Sequence, residues 1–351
     1  CTSNVNGDWH VAANWDCVQL GGSLVSAVPA AGDDVNINHD VSFTSDIMQI
    51  NDLTISTGAT LEQRNASEQT ILGDMQISGT LTHGENTSSH LYEIDFSMQN
   101  LDLQAMGSID VSGKGYEGGN RWQNIGEVAG DNDGYGLSFG TSFQHISNGS
   151  TGGGNGGDGG KNGGAVSCNI SFPSNLGSSG GGSWTGDGGN GGGLVLLNVN
   201  NTATLNGTIN LNGESTGSFS STSPSGAGAG GSFYLEALNV AGNPVSFTSQ
   251  GGNAGGHWNI PNSNSAGSGG GGCVKILYTN SVSIAEADVA VDGGVTPYVN
   301  DLDWDGGLGQ VLITQNVAGM IPEFSTYVYM LTLLTALSIM YYFGKSKKLN
   351  F

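Results

Sequence analysis

Short runs of alternating apolar and polar residues, interrupted every few positions by glycine, most tightly limit what this chain can fold into. Leu53 and Ile55, then Met75, Ile77 and Leu81, alternate with polar neighbours, the period of a half-buried strand. Strand-like pieces recur over Asp34 to Ile37, Val41 to Phe43, Asp52 to Ile55, Thr60 to Glu62, Met75 to Ile77 and Thr80 to Thr82. Turn signals separate them at Thr57-Gly58, Gly73-Asp74 and Gly84-Glu85. Strands this short cannot fold singly. The expected class is all-β, a parallel β-helix (β-solenoid) whose coils each cover the apolar face of the next.

Composition narrows the choice further. Glycine accounts for 62 of 351 residues and charged residues for 11%, the first far above and the second far below ordinary usage. No Gly-X-Y period is present, which excludes collagen. Glycine is densest from Gly113 to Gly193, where only Val166 to Phe172 reads as a strand. Trp122, Phe143, Cys168 and Trp184 are interspersed there, and a flexible linker has no use for such anchors. Two readings stay open: a partly ordered insertion at the edge of the solenoid, which is the expectation, or extended threefold helices packed side by side.

A longer repeat follows. Gly193 to Leu197, Gly231 to Ala237 and Gly272 to Tyr278 each pair a glycine run with a β-rich strand, and Gly309 to Thr314 is a partial copy. This unit resembles the glycine-rich repeats of large prokaryotic surface β-helix proteins. The opening (Gly7-Asp8-Trp9, Asn14-Trp15, Pro29, then Gly32-Asp33-Asp34-Val35-Asn36-Ile37) resembles the Trp-bearing cap and first rung of secreted parallel β-helix proteins. The expected organisation is a cap and first coils over 1–112, the glycine-rich insertion over 113–193, repeated coils over 194–320 and an anchor over 321–351.

That anchor is an uncharged run from Tyr327 to Phe343, preceded by Pro322, Glu323 and Phe324 and followed by Lys345, Lys347 and Lys348. As a helix it would reach roughly 26 Å, the short end of a bilayer span, with Tyr327 and Tyr342 at the interfaces. Its three parts resemble the PEP-CTERM and PEF-CTERM tails handled by exosortases or archaeosortases. The resemblance implies a secreted protein displayed at the cell surface and held by its C-terminal α-helix. A helix kept through Phe351 has a second use, packing against its copies in a polymer. Cys1 in place of Met points to a removed export signal.

The net charge of −22 disfavours nucleic acid as a partner and favours cations. Four cysteines suit an oxidising compartment and allow three pairings. Cys1–Cys17 and Cys168–Cys273 are preferred, and no Cys-x-x-Cys pair offers a zinc site. Asp301, Asp303 and Asp305 ahead of Gly306 alternate as calcium ligands do, although Leu312 stands where an EF-hand needs Glu. Asp131 and Asp133 before Gly134 form a weaker version. Trp122, Trp184, Trp258 and Trp304 lie in glycine-rich loops, where they either pack down or stack on surface glycans. The adjacent Asp33 and Asp34 point to opposite faces of a strand, and the histidines show no metal spacing and no nucleophile partner. The reading is a non-catalytic structural protein that assembles with itself into an array or filament. A membrane-anchored glycan-binding adhesin and a polysaccharide-degrading β-helix enzyme are the alternatives.

Overall fold

Strand formation follows the alternation. In chain order come β1 (Thr2–Ser3), β2 (Gly7–Asp8), β3 (Trp15–Val18), β4 (Leu24–Val25), β5 (Val35–Ile37), β6 (Val41–Phe43), β7 (Leu53–Ile55) and β8 (Thr60–Gln63). Next are β9 (Gln69–Thr70), β10 (Asp74–Ile77), β11 (Thr80–His83), β12 (Ile94–Met98), β13 (Asn100–Leu103) and β14 (Ser108–Asp110). Beyond the glycine-rich stretch lie β15 (Leu194–Leu205), β16 (Thr208–Asn210), β17 (Ser232–Ala241), β18 (Ser246–Thr248), β19 (Cys273–Val282) and β20 (Gln310–Gln315). This computed structural model describes residues 1–19, 22–47, 49–121, 132–142, 150–184, 186–217, 224–255, 265–296 and 304–316.

The strands build two sheets. The larger runs β20-β19-β17-β15-β13-β10-β7-β5-β1-β3-β4, with β12 and β9 beside it, and the smaller runs β18-β16-β14-β11-β8-β6-β2. β3 meets β1 and β4 antiparallel, and the strands from β5 to β19 pair in parallel. Register puts like on like. Val35, Leu53, Met75, Leu101, Ala203 and Val240 form one inward column of the larger sheet. Val41, Leu61, Leu81, Ile109, Ile209 and Phe247 form its counterpart in the smaller. All twelve are buried, each large side chain contributing about 1.5–3 kcal/mol. The two faces meet through Phe43 on Phe96 and Phe233 on Phe247, with ring centroids 6.5 and 4.9 Å apart. At the N-terminal end Trp9 and Trp15 are fully buried, and the Trp15 indole donates to the Trp9 carbonyl.

Several expectations are corrected. The chain is all-β, but its strands lie in two flat sheets and not in the predicted parallel β-helix. Alternating short strands and turns look the same in sequence for both arrangements, and the difference lies in what fills the remaining side. The expected C-terminal α-helix falls on residues outside those described, and among the described residues there is no α-helix, only short 3-10 segments. The membrane-anchored cell-surface placement is corrected with it: among the described residues no helix is long and apolar enough to cross a membrane. Their apolar side chains are spent at every second strand position on the core, which leaves no continuous apolar span. Val166 to Phe172 is likewise no strand. It is a strap laid on the larger sheet, joined by the Cys168–Cys273 disulfide, by Phe172 on Tyr234 and by Lys275 donating to the Ser171 carbonyl.

Glycine fills the remaining side. The N–H groups of Gly267, Ser268 and Gly269 donate to the carbonyls of Ser150, Trp304 and Gly252. Those of Gly270, Gly271 and Gly272 repeat the three directions, to Gly153, Gly307 and Ser249. Gly226, Ala227 and Gly228 donate to Gly181, Gly267 and Glu214, and Ala229, Gly230 and Gly231 repeat that pattern to Ser178, Gly270 and Leu211. A period of three, with every bond leaving for another segment, is the geometry of extended threefold helices lying side by side. Over the described residues this bundle replaces the partly ordered insertion expected for 113–193, and threads from 194–320 interleave with it. Side chains have no room: a Cβ on Gly269 would sit inside the Gly228 carbonyl, and one on Gly191 inside that of Gly177. Hence the glycine content.

Gly269→Ala is therefore expected to lower stability by about 2–3 kcal/mol, where the same change at an unstrained open position adds about 0.4–1 kcal/mol. Urea unfolding reads the difference, and an unchanged midpoint would contradict backbone-to-backbone packing.

Candidate functional site

Four carboxylates line a hollow of about 460 Å³ at the edge of the glycine bundle, where Glu85, Glu117, Asp187 and Glu214 converge with Asn120 and Asn190. These carboxylates arrive from four separate segments, so no local motif announces them. Two of them serve the backbone. Asp187 Oδ1 accepts from the Arg121 N–H at 2.7 Å, Glu214 Oε2 from the Asn190 N–H at 3.2 Å, and Asn190 Oδ1 from the Gly118 N–H at 2.8 Å. Lys114 Nζ lies 3.2 Å from Glu85 Oε1. Among the described residues no histidine or thiol lines the hollow to act as a base or nucleophile, and the Ser215 hydroxyl there accepts from the Asn253 N–H at 2.9 Å.

One catalytic-looking line occurs elsewhere. His10 Nδ1 is 3.4 Å from Asp8 Oδ1, and its Nε2 is 3.3 Å from Ser45 Oγ. Sequence reasoning found no nucleophile for His10 because Ser45 is 35 residues away. Both distances exceed those of a working base and nucleophile, and all three groups stand open to water.

The residues singled out from sequence scatter. Asp305 Oδ1 accepts from the Thr296 N–H at 2.7 Å and shares a hollow of about 790 Å³ with Asp158. Asp133 Oδ1 accepts from the Ser142 N–H. Both carboxylates thus stabilise turns. Trp304 carries the Lys161 ammonium 4.3 Å from its ring centroid, with that Nζ donating to the Ser265 carbonyl, and burial pulls Lys161 down to about 8. Trp184 remains partly exposed. The cysteines are joined as Cys1–Cys17 and Cys168–Cys273. Asp131, Asp301, Asp303, Trp122, Trp258 and the tail residues Pro322, Glu323, Phe324, Tyr327, Tyr342, Lys345, Lys347 and Lys348 lie outside the described residues.

Two titratable groups escaped sequence reasoning because burial alone sets them apart. His83 is fully buried, its Nδ1 donating to the Gly84 carbonyl and its Nε2 accepting from the Leu194 N–H. This bond ties β11 to the start of β15 across 111 residues. Burial pulls the imidazole from 6.5 to about 3 against the raising effect of the Gly84 bond, with Lys114 and His90 adding repulsion. Asp95 on β12 is pushed up to about 7, chiefly by burial and then by the charges of Glu93 and Glu68. Glu93 is itself paired with His90 at 2.8 Å.

These shifts oppose each other. His83 stays neutral in the fold while the unfolded chain protonates, so its contribution is lost as pH falls from about 6.5 towards 3. Asp95 keeps its proton in the fold, so its contribution is present at low pH and lost as pH rises through about 7. Thermal melts across this range should show His83→Gln flattening the acid limb and Asp95→Asn raising the midpoint above pH 7. A variant with the wild-type profile would remove that group from the account. No family model, curated protein or solved structure matches this chain.

Proposed function

We propose that this protein is a structural subunit that associates with copies of itself through the open edge of its larger sheet. The observation that carries this reading is the inequality of the two ends. At one, β1, β3 and β4 turn antiparallel over the buried Trp9 and Trp15, held by the Cys1–Cys17 disulfide. At the other, β20 pairs with β19 on one side, and all six of its residues are half-exposed. Among the described residues no strand covers its outer edge, and the Ile313 N–H takes a side-chain acceptor instead, Glu286 Oε1 at 3.2 Å. An uncovered edge is a template for another strand. A head-to-tail contact there builds a filament, whereas a two-fold contact closes a dimer. The charge of −22 opposes either, so association strengthens with salt as repulsion is screened.

Sedimentation of the full chain at rising concentration and ionic strength tests this. Wild type is expected to shift to larger species, and the double variant Leu312→Lys, Thr314→Lys is expected to stay monomeric with an unchanged melting profile. A wild-type chain that is monomeric throughout, or a variant that associates equally well, would refute the reading.

A further inference from the structure

The outward face of the smaller sheet carries a feature that self-association does not use. On five consecutive strands, β8, β11, β14, β16 and β18, the first outward position holds Thr60, Thr80, Ser108, Thr208 and Ser246. The register sets these directly beside one another: Thr60 on Thr80, Thr80 on Ser108, Ser108 on Thr208, Thr208 on Ser246. All five are half-exposed while the next residue on each strand (Leu61, Leu81, Ile109, Ile209, Phe247) is buried, so the hydroxyls look outward. The result is a straight rank of hydroxyls at the strand spacing of about 4.8 Å.

The backbone under the rank is pinned. The N–H of Thr80 donates to the Ala59 carbonyl, that of Ser108 to Gly79 and that of Thr208 to Gly107, at 2.8–3.0 Å. Gly79, Gly107 and Gly207 are packed so closely on the preceding turn that a Cβ at any of them would strike a backbone oxygen. The spacing is therefore held by packed main chain. Threonine adds stiffness at χ1, which fixes the direction of its hydroxyl and methyl. Among the described residues these hydroxyls take no partner, unlike the neighbouring outward column, Glu62, Thr82, Asp110, Asn210 and Thr248. There Glu62 holds Arg64, Thr82 Oγ1 donates to the Asp110 carbonyl and Thr248 Oγ1 to Asn210 Oδ1.

A rigid, evenly spaced file of groups that both donate and accept on a flat sheet is a template for ordered water. Its period is close to the oxygen repeat on the surface of hexagonal ice. We propose that this rank binds ice, with the hydroxyls of Thr60, Thr80, Ser108, Thr208 and Ser246 and the methyls of the three threonines holding water in a lattice that merges with the crystal. A sugar polymer is the less suitable occupant: recognition of sugar rings relies on aromatic platforms, and none of these five strands presents an outward aromatic side chain.

The test uses the full chain with its disulfides intact. Ice-recrystallisation inhibition and incorporation into a growing ice hemisphere are measured for wild type, for Thr80→Lys and Thr208→Lys on the rank, and for Thr54→Lys and Thr204→Lys on the outward face of the larger sheet. Melting profiles verify folding in every case. Activity in wild type and both larger-sheet variants, with loss in both rank variants, is the expected result. A wild-type chain rejected by ice overturns the proposal, as does equal loss in both sets of folded variants. Rank-dependent retention on crystalline cellulose or chitin, without ice activity, also overturns it and assigns the face to a polysaccharide.

Discussion

Buried backbone must find hydrogen-bond partners, and in this protein that requirement falls on glycine threads that lie in neither helix nor sheet. An extended threefold helix makes no bonds within itself, so each of its N–H groups must reach another thread or go unpaired at about 1–3 kcal/mol. The segment from Gly267 to Gly272 meets the demand by donating in rotation to three neighbours. Ordering glycine is entropically expensive, about 1–2 kcal/mol per residue for the backbone. A bond returns only about 1 kcal/mol net. The bundle therefore depends on the sheets, whose apolar columns supply the larger favourable term and deliver the thread ends in register.

The joints between the two materials show the dependence. Gly193, Gly231 and Gly272 lead directly into β15, β17 and β19, and their N–H groups bond to Val111, Leu211 and Ser249, the residues that directly follow β14, β16 and β18. His83 makes the same kind of joint with a side chain. Its neutral imidazole links the smaller sheet to the first residue of β15 while lying against Gly193, where a Cβ would collide with the ring. The Cys168–Cys273 disulfide fastens the strap from the glycine-rich stretch to β19. Each joint connects segments from about twenty to more than a hundred residues apart. The stack is thus assembled from non-local contacts, which favours slow folding and low tolerance of added side chains within the bundle.

Charge is distributed by the same geometry. Asp187, Glu214, Asp133 and Asp305 each accept a backbone N–H at a thread or turn, so much of the acidity serves as caps for chain that has no helix or sheet partner. Carboxylates rich in such roles look like metal ligands in sequence, where Asp305 stands in an alternating acidic run. Trp304 likewise looks like a free aromatic platform until Lys161 is found over its ring.

Strand positions were legible from the amino-acid sequence, because alternation in stretches such as Leu53–Ile55 and Met75–Ile77 reports directly which side chains leave water. The all-β class and a glycine stretch too well anchored to be a linker were legible for the same local reasons. Tertiary structure alone decided that the strands lie in two flat sheets, that the glycines form a hydrogen-bonded bundle, that Val166 to Phe172 is a strap, and that Ser45 meets His10 while four distant carboxylates meet at one hollow. Each of these is set by which backbone lies beside which, at separations where residue identity carries almost no information. Glycine is the extreme case: with no side chain to mark an inner and an outer face, its partners become visible only when the threads are in place.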